Sequence, residues 1–187
     1  MPIRLETRID GLVLLELTAH GDERGFLVES YREDAWRALG VAARFVQDNQ
    51  SRSGHGILRG LHFQTEPGQA KLVRCARGEI FDVAVDLRRG SPSFGHWEGH
   101  SLSDANHRQL YVPVGFAHGF CVTGEESADV AYKLSSYFDP ATEGGIAWDD
   151  PDVGVEWPLA EPQVSERDAA APRLAEVADS LAFRTSA

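Results

Sequence analysis

The chain has 187 residues, of which 42% are hydrophobic and 25% charged, a composition typical of a soluble globular domain with a sizeable core. Its net charge of −11 argues against general binding to nucleic acid, although local arginines can still bind a small anion. No apolar run is long enough to cross a bilayer, and Arg4, Glu6 and Arg8 interrupt the N-terminus, so we expect neither a membrane span nor a signal peptide.

Short strands separated by turns dominate the sequence pattern. In chain order, the first half is predicted to contain strands at 12–17, 26–31, 45–51, 57–64, 71–77 and 79–87, turns at 20–25 and 65–69, and a helix at 33–39. The second half is predicted to contain strands at 97–102, 109–112, 119–123 and 128–138, an extended segment at 145–148, and helices at 165–170 and 176–182. In the strand at 79–87, Asp82 and Asp86 lie on the face opposite the apolar side chains. This pattern, with almost no βαβ alternation, predicts an all-β closed barrel or double-sheet jelly roll.

The segment ILRGLHFQ (57–64) combines apolar residues with groups suited to anion binding and proton transfer. Arg59 offers a planar fork of donors that matches phosphate, and His62 is the side chain best suited to move a proton near neutral pH. The two residues differ in parity, so an ideal strand would point them to opposite faces. Either Gly60 breaks the register, or one of the two faces outward, as in a core histidine beside a surface arginine.

Two spaced motifs match the frame of double-stranded barrels of the cupin type, in which an HxH pair, a glutamate and the histidine of PxGxxH hold a metal. His62 takes the first histidine position, Gly78 stands at the expected glycine offset, and PVGFAH (113–118) matches the second motif. Gln64 replaces the second histidine, and Lys71 replaces the glutamate. Because two histidines and an ammonium group hold a divalent cation poorly, we expect metal-free chemistry without a cofactor, which argues against a cupin oxygenase.

Ordered sequence blocks carry a closer resemblance. The blocks are DERGF (22–26), QDNQS (47–51), RGLHFQ (59–64), QAKLVRCARGEIFDVAVDLRRGSPSFG (69–95), QLYVPVGFAHGF (109–120), YKLSSYF (132–138), GIAWDDPDVGVEWP (145–158) and SERD (165–168). From about residue 11 to residue 174 the chain resembles the dTDP-4-dehydrorhamnose 3,5-epimerase family. The resemblance implies a cupin-type jelly-roll barrel with a few short, mainly C-terminal helices, generally dimeric, without metal or organic cofactor.

The resemblance implies catalytic roles that agree with the chemistry of the side chains. It makes His62 the general base, with Asp168 as its dyad partner, and Tyr132 the general acid. It places Lys71 and His118 where they hold the sugar near its keto oxygen. A C–H beside a ketone is acidic only if the enolate is stabilised, and Lys71 can place a positive charge beside that oxygen. His62 can then remove the proton, while Tyr132 donates one to the opposite face.

The remaining positions implied by the resemblance bind the sugar nucleotide. They are Arg24, Glu29, Gln47, Asp48, Asn49, Arg59, Glu143 and Arg167. The thymine-stacking tyrosine of the family corresponds to Phe138, which keeps the stacking face but lacks the hydroxyl. Ordinary structural roles remain as alternatives: Tyr132 as core, Lys71 as a strand-edge charge, and Asp168 as a helix cap. Arg24 and Glu29 have the alternative of an ordinary surface ion pair.

The leading hypothesis is therefore a metal-independent epimerase that inverts C3 and/or C5 of dTDP-4-dehydro-6-deoxy-D-glucose. We expect a single domain at 1–187, with a core at about 11–174 and a C-terminal tail at 175–187. A monoepimerase acting at C3 or C5 alone, as in antibiotic deoxysugar pathways, is the alternative, and a non-catalytic sugar-nucleotide binding protein is a further one. The expected partners are the sugar nucleotide and a second copy of the chain, with no nucleic acid polymer and no membrane. Cys75 and Cys121 lie among apolar neighbours without CxxC spacing, which predicts reduced thiols and a cytoplasmic protein.

Overall fold

The computed structural model describes residues 2–184, and strands form most of its regular structure. The strands are β1 (Ile3–Leu5), β2 (Val13–Glu16), β3 (Ala19–Asp22), β4 (Gly25–Val28), β5 (Gln47–Ser53), β6 (Leu58–Gln64), β7 (Lys71–Arg77), β8 (Glu79–Asp86), β9 (Trp97–Ser103), β10 (Arg108–Val112), β11 (Phe116–Val122), β12 (Ala128–Leu134) and β13 (Glu143–Gly145). The helices are α1 (Glu33–Ala38), α2 (Glu166–Ala169) and α3 (Leu174–Val177), and a 3₁₀ turn follows at Ala178–Ser180. None of the helices within residues 2–184 is long and apolar enough to cross a membrane.

Two antiparallel sheets make up the fold. One sheet has six strands in the order β1-β2-β10-β7-β12-β5, and the other has five in the order β13-β6-β11-β8-β9. Most neighbouring strands are distant in sequence, as when β10 lies between β2 and β7. The double-sheet jelly roll predicted from the strand pattern is therefore confirmed, and the short helices other than α1 lie near the C-terminus, as expected.

The main core lies between the two sheets, because side chains alternate along each strand and one face of every strand points inward. Leu14 of β2 and Val73 of β7 belong to one buried cluster with Ile80 of β8 and Phe116 of β11. A side chain of this size stabilises the fold by about 1.5–3 kcal/mol when it is fully buried. Asp82 has the same parity as Ile80 on β8, so its carboxylate also faces this interior.

The outer face of the five-stranded sheet is covered as well, by the C-terminal part of the chain. Val83 of β8 belongs to a second buried cluster with Leu181 and Phe183. Both faces of β8 are therefore buried, and Asp82 is 0% exposed although the alternation of its strand suggests one solvated face. Because Leu181 and Phe183 are covered, the core extends beyond residue 174, where the family resemblance ends.

A two-stranded hairpin of β3 and β4 stands apart from both sheets. The sequence predicts a turn at 20–25 and a strand at 26–31, whereas Asp22 already pairs with Gly25 and β4 ends at Val28. The apolar side chains of Phe26 and Leu27 are exposed on this hairpin. Local alternation of the sequence predicts an extended segment here, but it does not reveal that this hairpin lies outside both sheets.

The strand β12 ends at Leu134, although its sequence predicts a strand as far as residue 138. Leu134 pairs with Gln47, where β5 begins, and with Lys71, where β7 begins. The N–H of Ser135 still donates to the carbonyl oxygen of Ala70 at 3.0 Å, but neither neighbouring strand extends past this point, so the ladder ends here. Phe138 consequently lies on the loop that follows β12 and is half exposed.

Candidate active site

A cavity of about 570 Å³ lies between the inner faces of the two sheets, lined by side chains of both. Ten of the predicted site residues line it, namely Asn49, Arg59, His62, Lys71, His118, Tyr132, Phe138, Glu143, Arg167 and Asp168. They come from β5, β6, β7, β11, β12, β13, α2 and the loop after β12. The fold thus brings together residues as far apart in the sequence as Asn49 and Asp168.

His62 and Asp168 form a hydrogen-bonded pair in the cavity wall. Nε2 of His62 lies 2.8 Å from Oδ1 of Asp168, whose residue is only 6% exposed. Burial lowers the pKa of His62 below its usual 6.5, the bond to Asp168 opposes this shift, and the charge of Lys71 adds to it. The neutral imidazole that results donates Nε2–H to the carboxylate, which leaves Nδ1 as the atom able to accept a proton.

The alternative that Asp168 merely caps a helix is wrong. The cap of α2 is Ser165, whose hydroxyl accepts a hydrogen bond from the backbone N–H of Asp168 at 3.1 Å. The carboxylate of Asp168 is directed instead toward β6, where Oδ2 also accepts from the N–H of Gly60 at 3.4 Å. The helix cap therefore orients the residue, and the side chain is left for His62.

Gly60 explains how Arg59 and His62 can both line the cavity despite their different parity. The pairing of β6 with β11 changes register at this point, and Gly60 has φ of 142°. A Cβ at Gly60 would lie 2.5 Å from the Cα of Gly119, so the two backbones approach too closely for any side chain. The first of the two readings of the 57–64 segment is therefore correct: the register breaks at Gly60.

Lys71 lies on a central strand of the six-stranded sheet and is not a solvated edge charge. Its Nζ donates a hydrogen bond to the carbonyl oxygen of His62 at 3.4 Å. Burial lowers the pKa of Lys71 from 10.5 to about 8, while the negative charges of Asp82 and Glu143 oppose the shift. The side chain is still mainly an ammonium at pH 7, so it can stabilise negative charge that develops in the cavity.

His118 forms a second histidine–carboxylate pair, which sequence reasoning missed. Nε2 of His118 lies 3.0 Å from both carboxylate oxygens of Asp82, and both residues are buried. The Cα atoms of His118 and His62 are direct cross-strand partners, so the two pairs are adjacent. The available signal was an acidic residue in a strand whose other face is apolar, but that pattern more often indicates a solvent-facing carboxylate.

The opposite wall is a connected series of polar side chains on β5 and β12. Nδ2 of Asn49 donates to the hydroxyl oxygen of Tyr132 at 3.5 Å, and Nε2 of Gln47 donates to Oδ1 of Asn49 at 2.9 Å. Oε1 of Gln47 in turn accepts from the backbone N–H of Phe138 at 3.0 Å. Gln47 does not line the cavity itself, but it joins the loop that carries Phe138 to the strand that faces Tyr132.

Charged groups flank the open part of the cavity. Nε of Arg59 donates to the hydroxyl of Ser53 at 2.8 Å, which holds one edge of the guanidinium. Arg167 and Glu143 form an ion pair at 2.6 Å that links α2 to β13. Arg167 is the more exposed partner, so a ligand entering the cavity can reach its guanidinium.

Three predicted binding residues besides Gln47 lie outside the cavity. Asp48 faces the other side of β5, because Gln47, Asn49 and Ser51 have the inward parity, and it pairs with Lys133 at 2.9 Å. Arg24 is exposed on the hairpin and pairs with Asp22. Glu29 lies 3.6 Å from Arg32 in an exposed pair. Within one chain the fold therefore does not bring these three side chains to His62, and their role in binding remains a prediction.

Gln64 shows what replaces a metal ligand at the second histidine position of the cupin frame. Its Nε2 donates to the backbone oxygen of Asp139 at 2.9 Å, and its Oε1 accepts from the backbone N–H of Asp139 at 3.1 Å. The side chain thus anchors the loop after β12. The donor set of the cupin frame is reduced to two imidazoles that are each bonded to a carboxylate, next to an ammonium, which is a poor set for a divalent cation.

The chain is similar to known sugar-nucleotide epimerases over almost its whole length. A family model described as dTDP-4-dehydrorhamnose 3,5-epimerase matches residues 6–176. The dTDP-4-dehydrorhamnose 3,5-epimerase of Salmonella typhimurium is 52% identical over 177 residues, which cover 93% of this chain and 96% of that protein. The dTDP-4-dehydrorhamnose 3-epimerase of Streptomyces niveus is 43% identical over 173 residues, which cover 91% of this chain and 83% of that protein.

Solved structures agree with the sequence relatives. The crystal structure of dTDP-6-deoxy-D-glucose-3,5-epimerase from Legionella pneumophila, in complex with dTDP-4-keto-L-rhamnose, matches with a TM-score of 0.95 at 46% identity. That match covers 100% of both chains. With the family model spanning most of the sequence and relatives this similar, the chain belongs to the dTDP-4-dehydrorhamnose 3,5-epimerase family.

Proposed function

We propose that the protein epimerises a dTDP-4-keto-6-deoxyhexose, inverting C3 and/or C5 of dTDP-4-dehydro-6-deoxy-D-glucose by removing a proton next to the 4-keto group. The observation that carries the proposal is that one cavity holds a neutral histidine with a carboxylate partner, a tyrosine hydroxyl and an ammonium group. These are the base, the acid and the oxyanion-stabilising charge that such a reaction needs. The activities named for the similar proteins support the same substrate class.

The reaction begins when Nδ1 of His62 accepts the proton of the carbon next to the ketone. The electrons of the broken C–H bond form a carbon–carbon double bond, and the keto oxygen becomes an enolate beside the ammonium of Lys71. The hydroxyl of Tyr132 then gives its proton to the opposite face of the carbon, and the ketone reforms with inverted configuration. His62 is left protonated and Tyr132 deprotonated, and proton exchange with solvent restores both.

C3 and C5 both flank the C4 carbonyl, so the same ammonium can stabilise either enolate. The relatives include a protein named as a 3,5-epimerase at 52% identity and one named as a 3-epimerase at 43% identity. The first supports inversion at both carbons, which we propose as the activity of this chain. Inversion at a single carbon is the alternative, and the type of catalytic residue does not distinguish the two.

The nucleotide end of the substrate is assigned to the mouth of the cavity. Arg59 supplies a guanidinium for the diphosphate, and Phe138 supplies an exposed ring for the thymine.

We also propose a homodimer, as the resemblance implies. A cytoplasmic location is supported by Cys75 and Cys121, which are free thiols buried in the core.

The experiment that tests the function is incubation with dTDP-4-keto-6-deoxyglucose in D₂O, with proton NMR and mass spectrometry scoring deuterium at C3 and C5 separately. Incorporation at both carbons with inverted product is the expected result. Incorporation at one carbon identifies a monoepimerase. His62→Asn is the matched control, and wild-type protein that exchanges neither carbon is not an epimerase of this substrate.

A further inference from the structure

Asp82 is a buried carboxylate next to the cavity that the proposed reaction does not use directly. It is 0% exposed, and both of its carboxylate oxygens lie 3.0 Å from Nε2 of His118. Removing a carboxylate from water costs several kcal/mol unless hydrogen bonds and opposite charge compensate for it. Because burial of this carboxylate is costly and it contacts a side chain of the cavity, we expect its negative charge to have a function in the cavity.

Three of the other buried carboxylates of the described chain, Asp86, Glu98 and Asp150, connect segments of the chain. Asp86 accepts hydrogen bonds from the side chains of the turn that follows β8. Glu98 accepts from the backbone N–H groups of residues 8 and 9, and Asp150 accepts from the backbone N–H of Leu174. Asp82 differs, because its carboxylate bonds to His118, which lines the cavity. A purely architectural account that fits the other three therefore does not fit Asp82.

The charge of Asp82 also acts on Lys71. It is the largest of the influences that hold up the pKa of Lys71 against burial, ahead of Glu143. The other titratable groups around this point include His62 on β6 and Cys75 on β7. His100 on β9 is the cross-strand partner of Asp82 and is bonded to Glu98. Asp82 thus contacts one of the two groups assigned to the keto oxygen and acts electrostatically on the other.

We propose that Asp82 is a positioning residue for enolate formation, which holds the imidazole of His118 in the cavity wall and adds a buried negative charge beside the keto-oxygen site. The inference rests on the proposed function, in which Lys71 and His118 face the keto oxygen. Asp82 itself does not line the cavity, so its effect reaches the substrate only through these two side chains. Its loss should weaken the chemical step and leave nucleotide binding in place.

The test is Asp82→Asn, which retains the shape and can still accept the hydrogen bond of His118 but removes the charge. Deuterium exchange into the substrate at saturation is measured from pH 6 to pH 9.5, together with dTDP affinity by calorimetry. We expect exchange at pH 7.5 to fall by about 10- to 100-fold, less than the roughly 10²–10³-fold typical for loss of an oxyanion-stabilising donor. In the plot of exchange rate against pH, the alkaline limb is the part where the rate falls as Lys71 loses its proton. This limb should move to lower pH in Asp82→Asn, because Lys71 loses its proton more easily without the neighbouring negative charge. The dTDP affinity should change by less than about twofold, since no assigned nucleotide contact is removed.

Glu98→Gln is the matched control, because Glu98 lies on β9 beside β8, is a buried carboxylate bonded to His100 of its own strand, and does not line the cavity. The Glu98→Gln substitution should not change the pH at which the exchange rate falls on the alkaline side. Asp82→Glu is a second variant that retains the charge, so its alkaline limb should coincide with that of the wild type even if its rate is lower. An unmoved limb in Asp82→Asn, or a limb displaced equally in Asp82→Glu, overturns the proposal. Wild-type protein without any exchange would instead refute the proposed function, so the two failures are distinguishable.

Discussion

Replacing Lys71 by methionine removes a partly buried positive charge from the cavity wall and keeps a long, unbranched side chain. Burial lowers the pKa of Lys71 from 10.5 to about 8. Each unit of pKa difference between the folded and unfolded states is worth about 1.4 kcal/mol, so holding the ammonium at pH 7 costs the folded state about 3 kcal/mol. Lys71→Met should therefore raise the free energy of unfolding at pH 7, by up to about 3 kcal/mol, while epimerisation falls by about 10²–10³-fold.

The pH dependence of this gain has a definite sign. The unfolded chain holds the proton of Lys71 up to pH 10.5, whereas the folded protein holds it only up to about pH 8. Below about pH 8 both states carry the charge, and the full cost applies. Between about pH 8 and 10.5 the unfolded state binds more protons, so wild-type stability rises with pH relative to Lys71→Met, and the gap between the two proteins narrows.

Urea denaturation followed by circular dichroism at pH 7 and pH 9 measures the gap. Lys133→Met is the matched control, because Lys133 lies on the neighbouring strand β12 and pairs with the exposed Asp48. Its change in unfolding free energy should stay within about 1 kcal/mol. If Lys71→Met is less stable than the wild type at pH 7, or if the gap does not narrow at pH 9, the assignment of a desolvated ammonium is wrong.

Four further predictions concern the reaction and the ligand. His62→Asn should abolish both deuterium exchange and epimerisation, by at least the roughly 10²–10⁴-fold typical of a general base, whereas Tyr132→Phe should still exchange deuterium with retained configuration. Normal epimerisation by Tyr132→Phe, scored by NMR in D₂O, would remove that hydroxyl from the mechanism. Arg59→Lys should weaken dTDP binding measured by calorimetry, because a point charge does not replace the guanidinium fork; unchanged affinity in Arg59→Ala would reject the phosphate contact. Phe138→Ala should cost about 1–3 kcal/mol of dTDP affinity and Phe138→Tyr almost nothing, and an Ala variant that binds normally would show that the ring does not stack. Dialysis against a chelator should leave turnover unchanged, and a loss that one divalent ion restores would contradict the metal-free scheme.

The strand pattern and the catalytic residue types were accessible from the sequence. Alternation with period two and regular turns depend on local backbone geometry, which is why the jelly roll and the helix at α1 could be predicted. The ordered blocks also predicted that His62, Lys71 and Tyr132 share one site, and the three side chains line one cavity. Errors at strand ends followed from pairing: β12 stops at Leu134 because both neighbouring strands begin there.

Tertiary structure alone decided which residues meet and which faces are covered. The break in register at Gly60 depends on the approach of Gly119 from a strand 59 positions away, which no local pattern reveals. Asp82 becomes a partner of His118 because β11 pairs with β8 and both side chains lie on the face that packs toward the six-stranded sheet. Periodicity determines the face to which a side chain points, but the free energy of that side chain depends on what the rest of the chain packs against that face.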